Sequence, residues 1–269
     1  MTKKQIMPKN LIIVRHGQSE GNIANRKSRR GDHSAFENDD FAKRDSSHYR
    51  LTDLGVIQAQ KADEYIKTLG LDFWRHYSSN FLRARETAAL LDMPDSNWYL
   101  SNELVERSWG DLDAMSDPER KLKFGDALNK RHQEAWFWRP PQGESLAGVS
   151  TRVRDILGTI HRESEGDNCV IVCHGETMSV IRSDLERWTP QDFAKNFKNE
   201  AEDIGNCSVL HYSRTDPKSG AESEYLSWVR LVSVAGDGAN FDWRKIERKT
   251  FSSKALLESL VEYPRIINR

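Results

Sequence analysis

Two kinds of apolar pattern alternate along the chain, and their order predicts how it folds. Leu11-Ile12-Ile13-Val14 is a short unbroken apolar run that ends at Arg15-His16-Gly17 and then turns polar. A strand buried on both faces reads this way. Cys169-Val170-Ile171-Val172-Cys173 repeats the pattern, ends at His174-Gly175, and passes directly into a helical stretch at 177–188. Residues 73–79 predict another strand and 97–100 a shorter one. Val56, Ala59, Ala62, Ile66 and Leu69 follow at helical spacing behind an N-cap at Thr52, with a stop at Gly70. Phe81, Ala84, Ala88 and Leu91 do the same and are closed by Pro94. Leu146, Val149, Val153, Ile156, Leu157 and Ile160 form the clearest amphipathic stripe, opened by Ser145. Strands alternating with helices predict an α/β domain.

The stretches without a period predict decoration. Residues 23–50 are rich in Arg, Lys, Asp and Ser and leave straight from the first strand end. A long loop lying over a site is expected there. Its cluster Arg26, Lys27, Arg29 and Arg30 could contact an anionic substrate, although each residue alone reads first as part of a solvated face. Residues 103–115 read as a loop, and 117–138 as a helical segment ending in Trp136-Phe137-Trp138 before a turn at 139–143. Residues 207–212 and 225–234 alternate like strands near a sheet edge. From Ala235 the chain is a charged tail with a terminal helix at 253–261. The expected organisation is one domain over 1–235, with 23–50 as an inserted loop and 117–139 as a helical cap, then a C-terminal extension at 236–269.

Composition narrows the function classes without naming one. A formal net charge of −1 on 269 residues gives no global case for nucleic acid or membrane binding, so anion affinity must come from local clusters. The first ten residues carry Lys3, Lys4 and Lys9, but the apolar run that follows is too short for a signal sequence or a membrane span. Cys169, Cys173 and Cys207 show no CxxC spacing and read as small buried hydrophobes in a reducing compartment. A cytoplasmic protein is expected. No Cys/His cluster has zinc-site spacing, and no metal or cofactor is expected.

The two strand ends carry the candidate chemistry. In open α/β sheets ligands bind at the carboxyl ends of strands. Arg15 offers a fixed cationic fork suited to phosphate, and His16 a nitrogen able to act as nucleophile or proton carrier. Gly17 removes a side chain where something approaches the backbone. On the tripeptide alone, a strand end with an exposed basic pair and a turn glycine explains the pattern equally well. Parallel strands ending in His16 and His174 would bring both imidazoles to one end of the sheet.

With these pieces in hand, the sequence resembles the histidine phosphatase superfamily, the phosphoglycerate-mutase-like fold. The resemblance rests on Arg15-His16-Gly17-Gln18-Ser19-Glu20-Gly21-Asn22, Leu51-Thr52-Asp53-Leu54-Gly55 and Ser79-Asn80-Phe81-Leu82-Arg83-Ala84-Arg85-Glu86-Thr87-Ala88. It continues through Glu106-Arg107-Ser108-Trp109-Gly110, Gly143-Glu144-Ser145 and His174-Gly175-Glu176-Thr177, in the family's order. It implies a three-layer α/β/α sandwich with a mostly parallel central sheet. It also implies that His16 attacks phosphorus, that Arg15, Arg83 and a protonated His174 grip the oxygens, and that Glu106 is the acid and base. Gln18, Asn22, Arg107 and the backbone at Gly175 would complete the phosphate or substrate contacts. Thr52 and Ser145 read as caps, and His33, His48, His76, His132, His161 and His211 match nothing.

The sequence departs from the family at Asn80, Glu86 and Ala114, where proline, glutamine and glycine are usual, and none of these removes a catalytic group. Ser19-Glu20 after Gln18 and Gly175 after His174 disfavour the secreted acid-phosphatase branch. A single Arg139 beside the aromatic cluster resembles the broad-specificity phosphatase branch more than the mutases. The expected function is metal-independent hydrolysis of a small phosphomonoester through a phosphohistidine. A phosphoglycerate mutase or related phosphotransferase is the alternative, and a non-catalytic phospho-ligand binder the second alternative.

Overall fold

The run Leu11–Val14 is wholly buried, and its alternating side chains face two different layers. In the computed structural model, which describes residues 5–93, 96–131, 134–248, 250–261, 263 and 265–267, this run lies in β1 (Asn10–Arg15). Leu11 and Ile13 join one core cluster, and Ile12 and Val14 another. A continuous apolar run is what a strand covered on both faces requires.

After β1 come α1 (Glu20–Arg29), the short α2 (Ser34–Glu37) and α3 (Asp39–Ala42), then α4 (Asp53–Lys67), β2 (Phe73–Ser79) and α5 (Leu82–Leu90). They are followed by β3 (Trp98–Ser101), α6 (Asp117–Arg131), α7 (Leu146–Glu163), β4 (Asn168–Cys173), α8 (Gly175–Glu186) and α9 (Pro190–Phe197). The described chain ends with β5 (Ser208–Ser213), β6 (Trp228–Ser233), β7 (Phe241–Lys245) and α10 (Ser253–Glu258). The sheet order is β3-β2-β4-β1-β5-β6-β7. β1, β4, β2 and β3 are mutually parallel, β5 is antiparallel to β1, and β6 turns back to the direction of β1. One face packs on α7 and α8 through Leu146, Val149, Val153, Met178 and Ile181. The other packs on α4 and α5 through Ala59, Ala62, Ala84 and Ala88, whose small size lets those helices come close. This is the expected three-layer sandwich, with β1 and β4 side by side at its centre.

The backbone after β1 wedges against the start of α4. The Thr52 hydroxyl caps α4 by accepting from the Gly55 N–H, and the Thr52 N–H donates to the Gln18 carbonyl at 2.9 Å. A Cβ on Gly17 would strike the Gly55 carbonyl, and one on Gly55 would strike the Gln18 carbonyl. Gly55→Ala is therefore expected to cost about 3 kcal/mol, because backbone rather than a flexible side chain must move. A shift in urea midpoint checks this.

Several expectations need correction. Residues 23–50 are not a structureless loop: α1 runs through the first part, capped reciprocally by Ser19 and Asn22. Its buried positions are Gly21, Ala24 and Ser28, so the period is carried by small residues and escapes a search for large apolar ones. β5 is no edge strand; it lies between β1 and β6 with every residue buried. Phe241–Lys245, assigned to the C-terminal extension, adds β7 at the sheet edge. α8 starts at Gly175 rather than 177, and α10 stops at Glu258 rather than 261. α6 is broken by a kink at Phe124, and beyond it Trp138 is buried while Trp136 packs edge-on to Phe193 at 4.8 Å. His76 and His211, which match no family motif, are buried. Pro94 and His132 lie outside the described residues. No helix among the described residues is long and apolar enough to cross a membrane.

Candidate active site

The carboxyl ends of β1 and β4 deliver the two imidazoles to one place. His16 and His174 are 2% and 0% exposed, and their rings meet edge-on with centroids 5.0 Å apart. The neighbouring strands are in register, Arg15 opposite Cys173, which is why equal-length apolar runs bring the residues after them together. Around His16 opens a cavity of about 590 Å³ lined by Arg15, Asn22, Arg83 and Glu106 among others.

Each nitrogen of His16 has a defined role. Nδ1 lies 2.7 Å from the Gly17 carbonyl, which can only accept, so Nδ1 carries the proton and Nε2 the lone pair. Arg83 Nε donates to that Nε2 at 3.1 Å. Arg83 is only 7% exposed; its Nη1 donates to the Ser46 carbonyl at 2.7 Å and its guanidinium lies over Phe81. Burial lowers even this guanidinium to about 10. Asn206 Nδ2 donates to the His16 carbonyl at 3.1 Å and fixes the backbone at the strand end.

His174 is held by Ser79 Oγ at 2.7 Å from Nε2, while its Nδ1 is buried with no partner. Arg15 Nε is likewise buried and unpaired, and its guanidinium packs on the backbone of Gly175. Unpaired buried polar nitrogens of this kind mark where a ligand belongs. His174 is the N-cap of α8 without a side-chain cap bond, so the helix start adds positive field to the same spot.

Burial first, then Arg83 and Arg15, hold His16 well below the usual imidazole value. Burial, Arg83, His16 and Arg15 do the same to His174. Burial and the neighbouring arginines thus favour neutral imidazoles, and the protonated His174 that the resemblance implies calls for the negative charge of a bound phosphate. Burial also pushes His211, in β5, down to about 3. An unfolded imidazole takes a proton below about pH 6.5, whereas these three resist it when folded. Stability is thus expected to be full above that pH and to fall as the pH drops from about 6.5 towards 3. Urea midpoints across that range check it, and a flat profile would show ordinary titration.

Glu106 sits beside the imidazoles, its Oε1 accepting from the N–H groups of Arg107 at 3.0 Å and Thr177 at 3.3 Å. It also faces a second cavity of about 340 Å³, shared with Arg15 and Gly175. Of the expected substrate contacts, Gln18 lies off the cavity and Arg107 lines it. Gln18 is 4% exposed and tied to Gln58 and Thr52, away from the cavity. Arg107 touches the cavity wall, but its guanidinium is spent on the carbonyls of Glu144 and Trp138 and lies over both Trp109 and Trp138. Asn22 lines the cavity, with Oδ1 accepting from Ser19 and Asn206.

Sequence reasoning missed Ser79, Ser46, Asn206 and the Glu144–Arg152 pair at 2.9 Å. Arg152 was readable as a charge beside Val149 and Val153 on an otherwise apolar stripe. His48 is exposed and does not line the cavity, although Ser46, Ser47 and Tyr49 around it do. Ala114, standing where the family has glycine, keeps a left-handed backbone at φ 51°. Ala114→Gly is accordingly expected to stabilise the fold by about 1 kcal/mol, read as a raised melting temperature.

The profile of the histidine phosphatase superfamily (branch 1) matches residues 11–219. A 2,3-bisphosphoglycerate-dependent phosphoglycerate mutase of Methylocella silvestris is 30% identical over 194 residues, covering 69% of this chain and 85% of the relative. Among solved structures, a mycobacterial glucosyl-3-phosphoglycerate phosphatase bound to VO3 superposes with a TM-score of 0.61 at 21% identity, covering 76% of this chain and 92% of that one. The α-ribazole phosphatase of Shigella flexneri gives 0.60 at 18% identity, covering 81% and 96%.

Proposed function

The chain belongs to branch 1 of the histidine phosphatase superfamily, and from that footing we propose that it hydrolyses small phosphomonoesters in two steps at His16. The observation that carries the reading is the placement of His16 on the cavity wall. Its Nδ1 proton is committed to the Gly17 carbonyl, its Nε2 lone pair accepts from Arg83, and burial and the arginines favour the neutral ring. In the first step that lone pair forms the N–P bond while the P–O bond to the leaving group breaks. Glu106 gives its proton to the departing oxygen. In the second, Glu106 takes a proton from water, the water oxygen bonds to phosphorus, and the N–P bond breaks to release inorganic phosphate.

Arg15 and Arg83 supply fixed positive charge to the equatorial oxygens, which is what a metal-free phosphoryl transfer needs. The arriving dianion brings the negative charge that lets His174 take up a proton and donate. Hydrolysis rather than transfer is favoured because Glu106 borders two cavities, giving room for a leaving group and for water. Arg139, the remaining candidate for a mutase-like grip, is turned to the Gly143 carbonyl at 2.6 Å. The three cysteines, all buried and unpaired, suit a reducing, cytoplasmic setting.

The mutase reading keeps one support, the names of the curated relatives. Incubation with p-nitrophenyl phosphate and with 3-phosphoglycerate separates the two. Hydrolysis predicts phosphate release and an acid-labile, base-stable label on the quenched protein. Interconversion of phosphoglycerates without phosphate release would overturn it.

A further inference from the structure

We propose that Asp237, in the turn between β6 and β7, is a positioning residue for Arg15 and His16, and that this turn braces the site without touching substrate. The inference rests on the reading of His16 as the nucleophile and adds a support behind it. None of the motifs that carry the family resemblance reaches past Thr177, so they assign this turn no role.

Residues 203–207, which lead into β5, lie against the end of β1. The Ile204 carbonyl accepts from Arg15 Nη1. Asn206 Nδ2 is shared between the His16 carbonyl at 3.1 Å and Asn22 Oδ1 at 3.3 Å. The Cys207 N–H donates to the same His16 carbonyl at 3.4 Å. One short segment therefore directs the Arg15 guanidinium, the backbone that carries His16, and Asn22 on the cavity wall. Its conformation does not maintain itself. Cys207 sits at φ 53°, a left-handed backbone that a β-carbon disfavours, and such a residue persists only where its surroundings hold it.

The β6–β7 turn does the holding. The Ala239 N–H donates to the Asp203 carbonyl at 2.9 Å, and Asp237 Oδ2 accepts from the Asn206 N–H at 3.3 Å. Beside these bonds Gly205 and Gly238 meet backbone to backbone. A Cβ on Gly238 would strike the Gly205 nitrogen, and one on Gly205 would strike the Asp237 carboxylate and the Gly238 nitrogen. The turn is fixed in its own right: Asn240 Oδ1 accepts from the Ser233 N–H at 2.7 Å, and the Ser233 hydroxyl from the Gly238 N–H at 3.0 Å. Asn206 is thus gripped at its backbone by Asp237 and grips the His16 carbonyl with its side chain. In-line attack needs the nucleophile and the arginine fork close to their productive places, so a loosened brace costs rate before it costs binding.

Calorimetric titration of the full-length chain with orthovanadate and with inorganic phosphate tests this. Vanadate takes the five-coordinate shape of the attack and so reports a displaced His16, whereas tetrahedral phosphate is held by charge. Asp237→Ala is expected to weaken vanadate about fivefold and phosphate less than about twofold. Asp237→Asn, whose amide oxygen still accepts from the Asn206 N–H, should recover most of that loss. Gly238→Ala, which must displace residues 203–207, should lose about tenfold. Phosphohistidine formation from p-nitrophenyl phosphate should slow in step with vanadate affinity while KM stays within about twofold. Asp237 is exposed, so its replacement opens no cavity, and the variant keeps the test valid if Gly238→Ala fails to fold. Unchanged vanadate affinity in Asp237→Ala, equal losses for both anions, or no recovery in Asp237→Asn would overturn the proposal. A wild-type chain that binds vanadate but is never labelled would strike the catalytic reading, and the vanadate ratios would still decide this one. A wild-type chain that binds no vanadate would strike both.

Discussion

His16→Ala is expected to abolish covalent labelling and to lower kcat by about 10⁴-fold or more. The size follows from the division of labour at the strand ends. Arginines can stabilise charge on phosphorus in the variant, but His16 is the imidazole that lines the cavity, with Nδ1 tied to the Gly17 carbonyl. His174 is the nearest competitor; its Nε2 is engaged with Ser79 at 2.7 Å, and it does not line that cavity. The variant should keep its fold, since the bonds around residue 16 run mainly through backbone, from the His16 N–H to the Cys173 carbonyl and from Asn206 to the His16 carbonyl. Rapid quench with a labelled phosphomonoester reads the adduct, and a melting curve confirms folding. Retained labelling in this variant would move the nucleophile elsewhere.

Arg83→Lys should lose about 10²- to 10³-fold in kcat although it conserves charge. The guanidinium does several things at once: one N–H faces the lone pair of His16, another holds the Ser46 carbonyl, and the plane rests on Phe81. An ammonium is a point charge that cannot direct these bonds in one plane. The loss should therefore fall on the rate of label formation more than on substrate binding. Burst kinetics separate the two, and a variant with unchanged burst rate would reduce Arg83 to a structural role.

How much was legible in the chain depended on what kind of signal each residue left. His16 and His174 stood at the ends of unbroken apolar runs, a pattern that strands covered on both faces produce, and the structure joins them. Arg83 entered through the resemblance of residues 79–88 to the family, and the structure places it just inside the helix after β2. α1 was missed because its buried stripe is Gly21, Ala24 and Ser28, which hydrophobicity does not register. Gln18 was misplaced for the opposite reason. A polar residue beside a site looks like a ligand, yet Gln18 is tied to Gln58, 40 residues on, and no local spacing encodes that. Ser79 left a weak mark, a small polar residue closing a strand, that gains meaning only when the end of β4 arrives next to it.

The position of β1 also has a consequence for biosynthesis. Its hydrogen-bonding partners lie far along the chain: Asn10 meets Asn168 at a separation of 158 residues and His211 at 201. A ribosome has therefore released most of the polypeptide before the first strand can find either neighbour. Until then Leu11 to Val14, wholly buried in the finished protein, is an unpaired apolar edge of the kind that recruits other chains. Contacts this remote in sequence close slowly. The nascent protein should accordingly acquire phosphate affinity late and abruptly, and its early half should depend most on holding chaperones.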